Sequence, residues 1–391
     1  MFRKMPLVLL GCMLFAALFA PYLPILWQSF LYGLSLTLKS GIVFVLPFIV
    51  FSLLCKTASE LAQSASKWVI VVLAALCLSN FISTLLGYGV SLVARWLPLS
   101  MKLPEVHDSL HAWGEILLPK WIDNSYAMFA GLAVGLILGL VRPTLAKRVS
   151  SILDYGVKYI LKSFLIIIPF FVMGFVVKMR YDGMIELIIR DYFLVFLCII
   201  GSVFAYIMLL YGVATHFRRD LWVASIKNMI PAALTGFGSM SSAAAMPLTL
   251  LGVEKNAKSS STNVTLAKSC IPMTVNVHLM GDCFAISIFA MAILKSFGMP
   301  DPSLWQYLVY AFYFVLAKFS VAAVPGGGIL VMIPILEAYL GFSGEMVSLI
   351  TALYILFDPV ITMANILGNG AFALHIAKAS TQEAQGVETN K

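Results

Sequence analysis

Long apolar runs separated by short polar stretches dominate the chain. Runs over residues 6–27, 31–54, 68–93, 127–141, 159–177, 192–213, 271–294 and 346–377 predict eight bilayer-crossing helices, since about 20 residues rising 1.5 Å each span the hydrocarbon core. The fourth run is short, and its "GLAVGLILGL" sets Gly131, Gly135 and Gly139 on one helical face. That spacing suits close helix packing, within the chain or between copies. Two further stretches, 224–251 and 303–340, are apolar but interrupted by "GFGSMSSAAAMP" and "AAVPGGG". Irregular backbone at membrane depth survives only where protein or a water-filled cavity satisfies its amides. Each stretch therefore predicts a re-entrant hairpin, or a helix pair too short to cross twice. The second half then reads span, broken hairpin, span, broken hairpin, span. Paired interruptions of this kind mark the binding site of a secondary transporter built from inverted repeats, the first hairpin entering from inside and the second from outside.

Composition agrees with the pattern. Of 391 residues, 61% are hydrophobic and 11% charged, against roughly half and a quarter in soluble domains. A soluble single-core protein is excluded. The net charge of +8 orients loops rather than binding nucleic acid, for no nucleic-acid-binding signature accompanies it. Arg3, Lys4, Lys56, Lys67, Arg142, Lys147, Arg148, Lys158, Arg218, Arg219, Lys227, Lys255 and Lys258 share one side of an eight-span topology, while Glu105, Asp108, Glu115, Asp182, Asp301 and Glu345 fall on the other. Both termini are thus expected in the cytoplasm of an inner or plasma membrane protein.

The remaining signals change little. The N-terminal "MFRKMPLVLLGCMLFAALFAP" has the make-up of a signal peptide, but its apolar stretch continues to Trp27, which favours an uncleaved first helix. Six scattered cysteines form no metal-binding or disulfide pattern. Asn263-Val264-Thr265 matches a glycosylation sequon on the cytoplasmic side, and the polar tail 380–391 reads as disordered. His107 and His111 have metal-ligand spacing without a third ligand motif. The organisation expected is an N-terminal six-helix region (1–223), a core (224–379) and the tail (380–391).

The chemistry gathers in the second half. In "FDPVITMANILGNGAF", Asp358, Thr362, Asn365 and Asn369 form a narrow helical stripe with Ile361 at its edge. Facing lipid, it would cost several kcal/mol, so it faces a cavity or a partner segment. As the bland alternative, it glues helices together. Pro359 also releases a backbone carbonyl one turn earlier. Ser239, Ser241 and Ser242 sit with free amides at a half-helix end, suited to an anion such as a carboxylate or merely to tight packing. Gly326 and its neighbours allow close backbone approach, as a gate or as a plain turn. "VNVHLMGDCF" places Asn276, His278 and Asp282 at membrane depth, with His278 and Asp282 four residues apart as a candidate pair or proton relay. Lys318, seven residues before Pro325, needs an anion if buried, with Asp358 and Asp282 as candidates, or else reaches water at the hairpin end.

These elements, in this order, resemble the dicarboxylate/amino acid:cation symporter family, the glutamate-transporter fold. "SSAAAMP" is similar to the serine-rich first hairpin, "HLMGD" occupies the place of an Asn-Met-Asp-Gly-Thr motif, Val324 to Gly328 keeps Val-Pro-Gly-x-Gly, and "DPVITMANILGN" looks like Asp-x-x-Arg-Thr-Met-x-Asn-x-x-Gly-Asp. The resemblance implies an all-α elevator transporter, a homotrimer of eight transmembrane helices and two re-entrant hairpins, that binds its substrate through Ser241, Ser242, Gly326, Asp358, Thr362 and Asn365. Asp358 would hold a substrate amino group and Asn365 its main chain. The departures narrow this. Ile361 stands where an arginine is expected, and Met240 where some members carry one, which favours a neutral amino acid over glutamate or aspartate. Met280, Asn369 and Tyr354 replace acids, while Asp282, His278 and Lys318 are additions. His278, Asp282, Lys318 and Asn369 are therefore expected to bear on coupling to Na⁺ or H⁺, with Lys318 in place of one bound cation and no cofactor beyond a bound Na⁺. A dicarboxylate:sodium symporter, a non-transporting membrane receptor or scaffold, and an intramembrane enzyme are the rivals. The last lacks a nucleophile–base pair or metal cage.

Overall fold

The computed structural model describes residues 5–63, 67–94, 109–119, 121–122, 124–321 and 326–389. The described chain is α-helical with no strand. Its helices are α1 (Met5–Phe19), α2 (Ile25–Gln63), α3 (Lys67–Ala94), α4 (Asn124–Val141), α5 (Pro143–Tyr181), α6 (Met184–Ala214), α7 (Arg219–Ser239), α8 (Ser242–Ser259), α9 (Val264–Thr274), α10 (Met280–Ser296), α11 (Leu304–Lys318), α12 (Gly327–Leu340) and α13 (Gly344–Thr389). Among the described residues, three helical stretches, Lys67–Ala94, Tyr192–Ala214 and Gly344–Glu383, are long and apolar enough to cross a membrane. Large apolar side chains such as Leu14, Phe15, Ile137, Leu140, Phe193 and Leu197 stand exposed on outward faces, as a multi-pass membrane protein requires. In lipid such faces are solvated, and helix association rests on packing instead.

Packing explains several boundaries. The first apolar run is not one helix: α1 stops at Phe19, a short 3-10 turn with Pro21 at its start follows, and α2 begins at Ile25 after Pro24. Proline lacks the amide needed to continue the helix. The glycine face of α4 packs within the chain. A Cβ on Gly131 would meet the Phe51 carbonyl at 2.6 Å, and one on Gly139 the Ala62 side chain at 2.7 Å, both on α2. The tail expected to be disordered instead continues α13 to Thr389. Its Ala, Gln and Glu residues favour a helix already nucleated, and Glu383 pairs with Lys67 at the start of α3.

The second half is organised around α13, which packs against α7, α8, α9 and α10 as well as α6 and α12. Two helical hairpins flank it: α7 against α8, and α11 against α12. The predicted seventh span, 271–294, is not continuous. Helix α9 ends at Thr274, α10 begins at Met280, and an irregular turn over 275–279 lies between. Its freed backbone groups turn to a neighbouring side chain, which makes this turn part of the candidate site.

Candidate binding site

Asn80, in the middle of α3 and fully buried, holds that turn from both sides. Its Nδ2 donates to the Val277 carbonyl at 2.8 Å, and its Oδ1 accepts from Leu279 N–H at 3.2 Å. One amide side chain thus replaces two lost helical hydrogen bonds. Nothing in the local pattern of α3 singles out Asn80, because its partners lie some 200 positions away. Asn80→Ala leaves a buried carbonyl and a buried amide unpaired, and we expect a loss of about 2–4 kcal/mol, read as a lowered melting temperature of the purified protein.

The turn presents His278, also fully buried. His278 Nδ1 lies 2.8 Å from Asn369 Oδ1 and Nε2 lies 2.9 Å from Ser79 Oγ. With the Asn369 carbonyl oxygen facing it, Nδ1 carries the proton and Nε2 accepts from the hydroxyl. The expected pairing of His278 with Asp282 does not form. Helix α10 begins only at Met280, so the two residues share no helical face despite their spacing.

Asp282, in the first turn of α10, is 1% exposed and faces elsewhere. Its Oδ2 accepts from Lys318 Nζ at 2.8 Å; its Oδ1 accepts from Tyr354 OH at 3.2 Å and Asn365 Nδ2 at 3.0 Å. Lys318, at the C-terminal end of α11, is 0% exposed and lies 4.4 Å from the Phe314 ring centroid. Of the two sequence-level candidates for its partner, the structure selects Asp282, and Lys318 does not reach water. The cation also sits where helix carbonyls point, a favourable end of the dipole.

Asn365 bridges the pair to the α10 start, for its Oδ1 accepts from Gly281 N–H at 2.7 Å. Both ends of this amide are engaged by protein. A Cβ on Gly281 would collide with the Ile361 carbonyl, so only glycine permits this approach of α10 to α13. Ile361 itself is buried and apolar.

Asp358 behaves differently. It is 4% exposed, and its carboxylate accepts from Gly326 N–H at 2.9 Å and Thr362 OH at 3.0 Å. Both donors are neutral. Gly326 has φ of 72°, a left-handed conformation that costs glycine little, and it aims its amide at the carboxylate from the start of α12. The rest of the second hairpin's tip, including Val324 and Pro325, lies outside the described residues, as do His107, Glu105 and Asp108. The Asp358–Asn369 stripe is buried throughout, facing protein rather than lipid.

At the first hairpin, Met240 takes φ of 50° to close the turn between α7 and α8. The Ser241 hydroxyl caps α8 by accepting from Ala244 N–H at 3.3 Å, and Ser242 is buried. The structure therefore pairs His278 with Asn369, joins Asp282 to Lys318 and Asn365, sets Asp358, Thr362 and Gly326 together on α13 and α12, and has Ser241 cap α8. Asn276 is exposed. Among the described residues no cluster of three or more His, Cys, Asp or Glu side chains forms a metal cage.

A sequence profile of the sodium:dicarboxylate symporter family matches residues 125–379. The excitatory amino acid transporter 3 of Mus musculus is 26% identical over 163 residues, 42% of this chain and 30% of that protein. An excitatory amino acid transporter of Onchocerca volvulus is 27% identical over 157 residues, 39% of this chain and 31% of its own length. Excitatory amino acid transporter 1 of Ambystoma tigrinum is 25% identical over 177 residues, 45% of this chain and 31% of that protein. The similarity thus spans less than a third of the length of these curated relatives.

Proposed function

Because the chain belongs to the sodium:dicarboxylate symporter family, we propose that it is a secondary active transporter for an amino acid, coupled to Na⁺ or H⁺. One observation carries the choice of substrate. Asp358 is a buried carboxylate whose described partners are all neutral donors. A buried charge needs a counter-charge, and a substrate ammonium group supplies it at the end of the second hairpin. Thr362 and Gly326 position the carboxylate, and Ser241 and Ser242 at the first hairpin take the substrate carboxylate.

A neutral side chain fits better than an acidic one. A second carboxylate would call for a bidentate guanidinium; the buried residue at the expected place is Ile361, and the one buried lysine among the described residues, Lys318, is already paired. Elevator movement of a mobile core (224–379) against a scaffold, a homotrimeric assembly, eight spans with two re-entrant hairpins and both termini in the cytoplasm belong to the same proposal. His278 and Asn369 then bear on coupling through their mutual hydrogen bond.

Proteoliposome uptake tests this reading. Radiolabelled neutral amino acids, supplied with a sodium or a proton gradient, should accumulate, and a hundredfold excess of aspartate, glutamate or succinate should fail to compete. Competition by succinate alone would favour a dicarboxylate symporter. Binding without accumulation under every gradient would favour the receptor reading, which gains support from the closed hydrogen bonding of His278 and Asn369.

A further inference from the structure

The two arms of the second hairpin are each fastened to the core at a carboxylate. The first arm delivers Lys318 Nζ to Asp282 on α10, at 2.8 Å; the second delivers Gly326 N–H to Asp358 on α13, at 2.9 Å. The two fastenings differ in charge. Asp282 meets a full positive charge, and its other oxygen is filled by Tyr354 and Asn365. Asp358 meets only dipoles. The packed hairpin therefore buries two negative charges and one positive charge.

We infer that Lys318 is a tethered cation, carried by the hairpin itself, which neutralises Asp282 so that the packed hairpin calls for only one positive group from outside, at Asp358. This rests on the transporter reading. The donor set supports an ammonium acceptor rather than a metal cage as the site stands. Asn365 turns its NH₂ to the carboxylate and gives its oxygen to Gly281 N–H, so only the carboxylate and the Tyr354 hydroxyl offer oxygens there. Hard cations take several oxygen ligands. An ammonium needs acceptors and tolerates an aromatic face, here Phe314 at 4.4 Å. Gly328 completes the enclosure: a Cβ there would collide with both Tyr354 OH and Asp282 Oδ2, so α12 closes directly over the pair.

The consequence is a latent site for a free monovalent cation. Removing the ammonium alone leaves the buried Asp282 carboxylate without its cation, with the Tyr354 hydroxyl as the other oxygen beside it. Thermal melting of the full-length protein in detergent micelles tests this, in sodium, potassium, ammonium or choline chloride at equal ionic strength. Relative to wild type, Lys318→Met should gain a rise in melting temperature of several degrees with about 100 mM ammonium over choline, and a smaller one with sodium, following ligand linkage. The double variant Lys318→Met/Asp282→Asn, which removes both charges, should return to the wild-type response. Identical salt responses in all three proteins overturn the inference. So does a Lys318→Met protein that fails to fold in every salt, since its carboxylate then accepts no free cation. The measurement needs no transported substrate, so its failure leaves the transporter reading standing. Absence of uptake by wild type in vesicles would undo that reading without touching the cation response.

Discussion

Asp358→Asn should abolish uptake while leaving the purified protein at least as stable as wild type. The two effects have opposite signs for one reason. A buried carboxylate held by the Gly326 amide and the Thr362 hydroxyl carries an uncompensated charge in a medium where charges are expensive. The amide keeps the shape: its oxygen accepts from Gly326 N–H, and its NH₂ donates to the Thr362 hydroxyl oxygen. The empty protein is relieved of a charge, so its melting temperature holds or rises. The loaded protein loses the counter-charge of the substrate ammonium. A charge-assisted hydrogen bond contributes roughly 1.5–3 kcal/mol, so substrate affinity should fall by about 100-fold, a difference of about 2.7 kcal/mol. Normal uptake by Asp358→Asn would place the ammonium site elsewhere.

Asp282→Asn should do the reverse to stability. It strands the Lys318 ammonium, 0% exposed, opposite a neutral amide. Breaking one half of a buried ion pair costs about 3–5 kcal/mol, enough to lower the melting temperature markedly or to prevent folding. Restoring neutrality should recover most of that loss, so Asp282→Asn/Lys318→Met should melt near wild type even though it carries more substitutions. The coupling between the two sites, read from a double-mutant cycle, should exceed about 2 kcal/mol. Additive losses would mean that the pair contributes no mutual stabilisation.

The contrast between Asp282 and Asp358 also shows what a one-dimensional reading reaches. The stripe Asp358, Thr362, Asn365 and Asn369 is legible because helical periodicity alone aligns it, and the structure buries all four. The two hairpins are legible because glycine, serine and proline interrupt apolar runs, and they appear as α7–α8 and α11–α12. What sequence spacing does not convey is the break at 275–279. The run 271–294 is apolar throughout its ends, and the residue that stabilises its interruption, Asn80, lies in another helix. Only an unbroken helix would set His278 and Asp282 on one face. Once the helix is broken, the ring turns to Asn369 and Ser79 and the carboxylate to Lys318. The choice of Asp282 over Asp358 as the lysine's anion is likewise a matter of which helices abut. The helical tail beyond residue 380 was obscured differently: its polar composition resembles a disordered segment, and only continuity with α13 and the Lys67 partner of Glu383 order it.

The pairing of departures has a further meaning. Tyr354, Asp282 and Lys318 satisfy one another, and His278 satisfies Asn369. Residues that look like erosion when taken singly form closed pairs when placed in space. Asp358 alone among the charged groups of this region has no charged partner among the described residues, and the account of function turns on it.

Thermal stabilisation by matched ligands tests that point most directly. Each member of a panel of neutral α-amino acids should be compared with its deaminated analogue, the same carboxylate without the amine, on wild type and on Asp358→Asn. At least one amino acid should raise the melting temperature of wild type, its deaminated analogue should not, and Asp358→Asn should respond to neither. Equal stabilisation of wild type by the amine and its deaminated analogue would contradict the assignment of Asp358 as the ammonium acceptor.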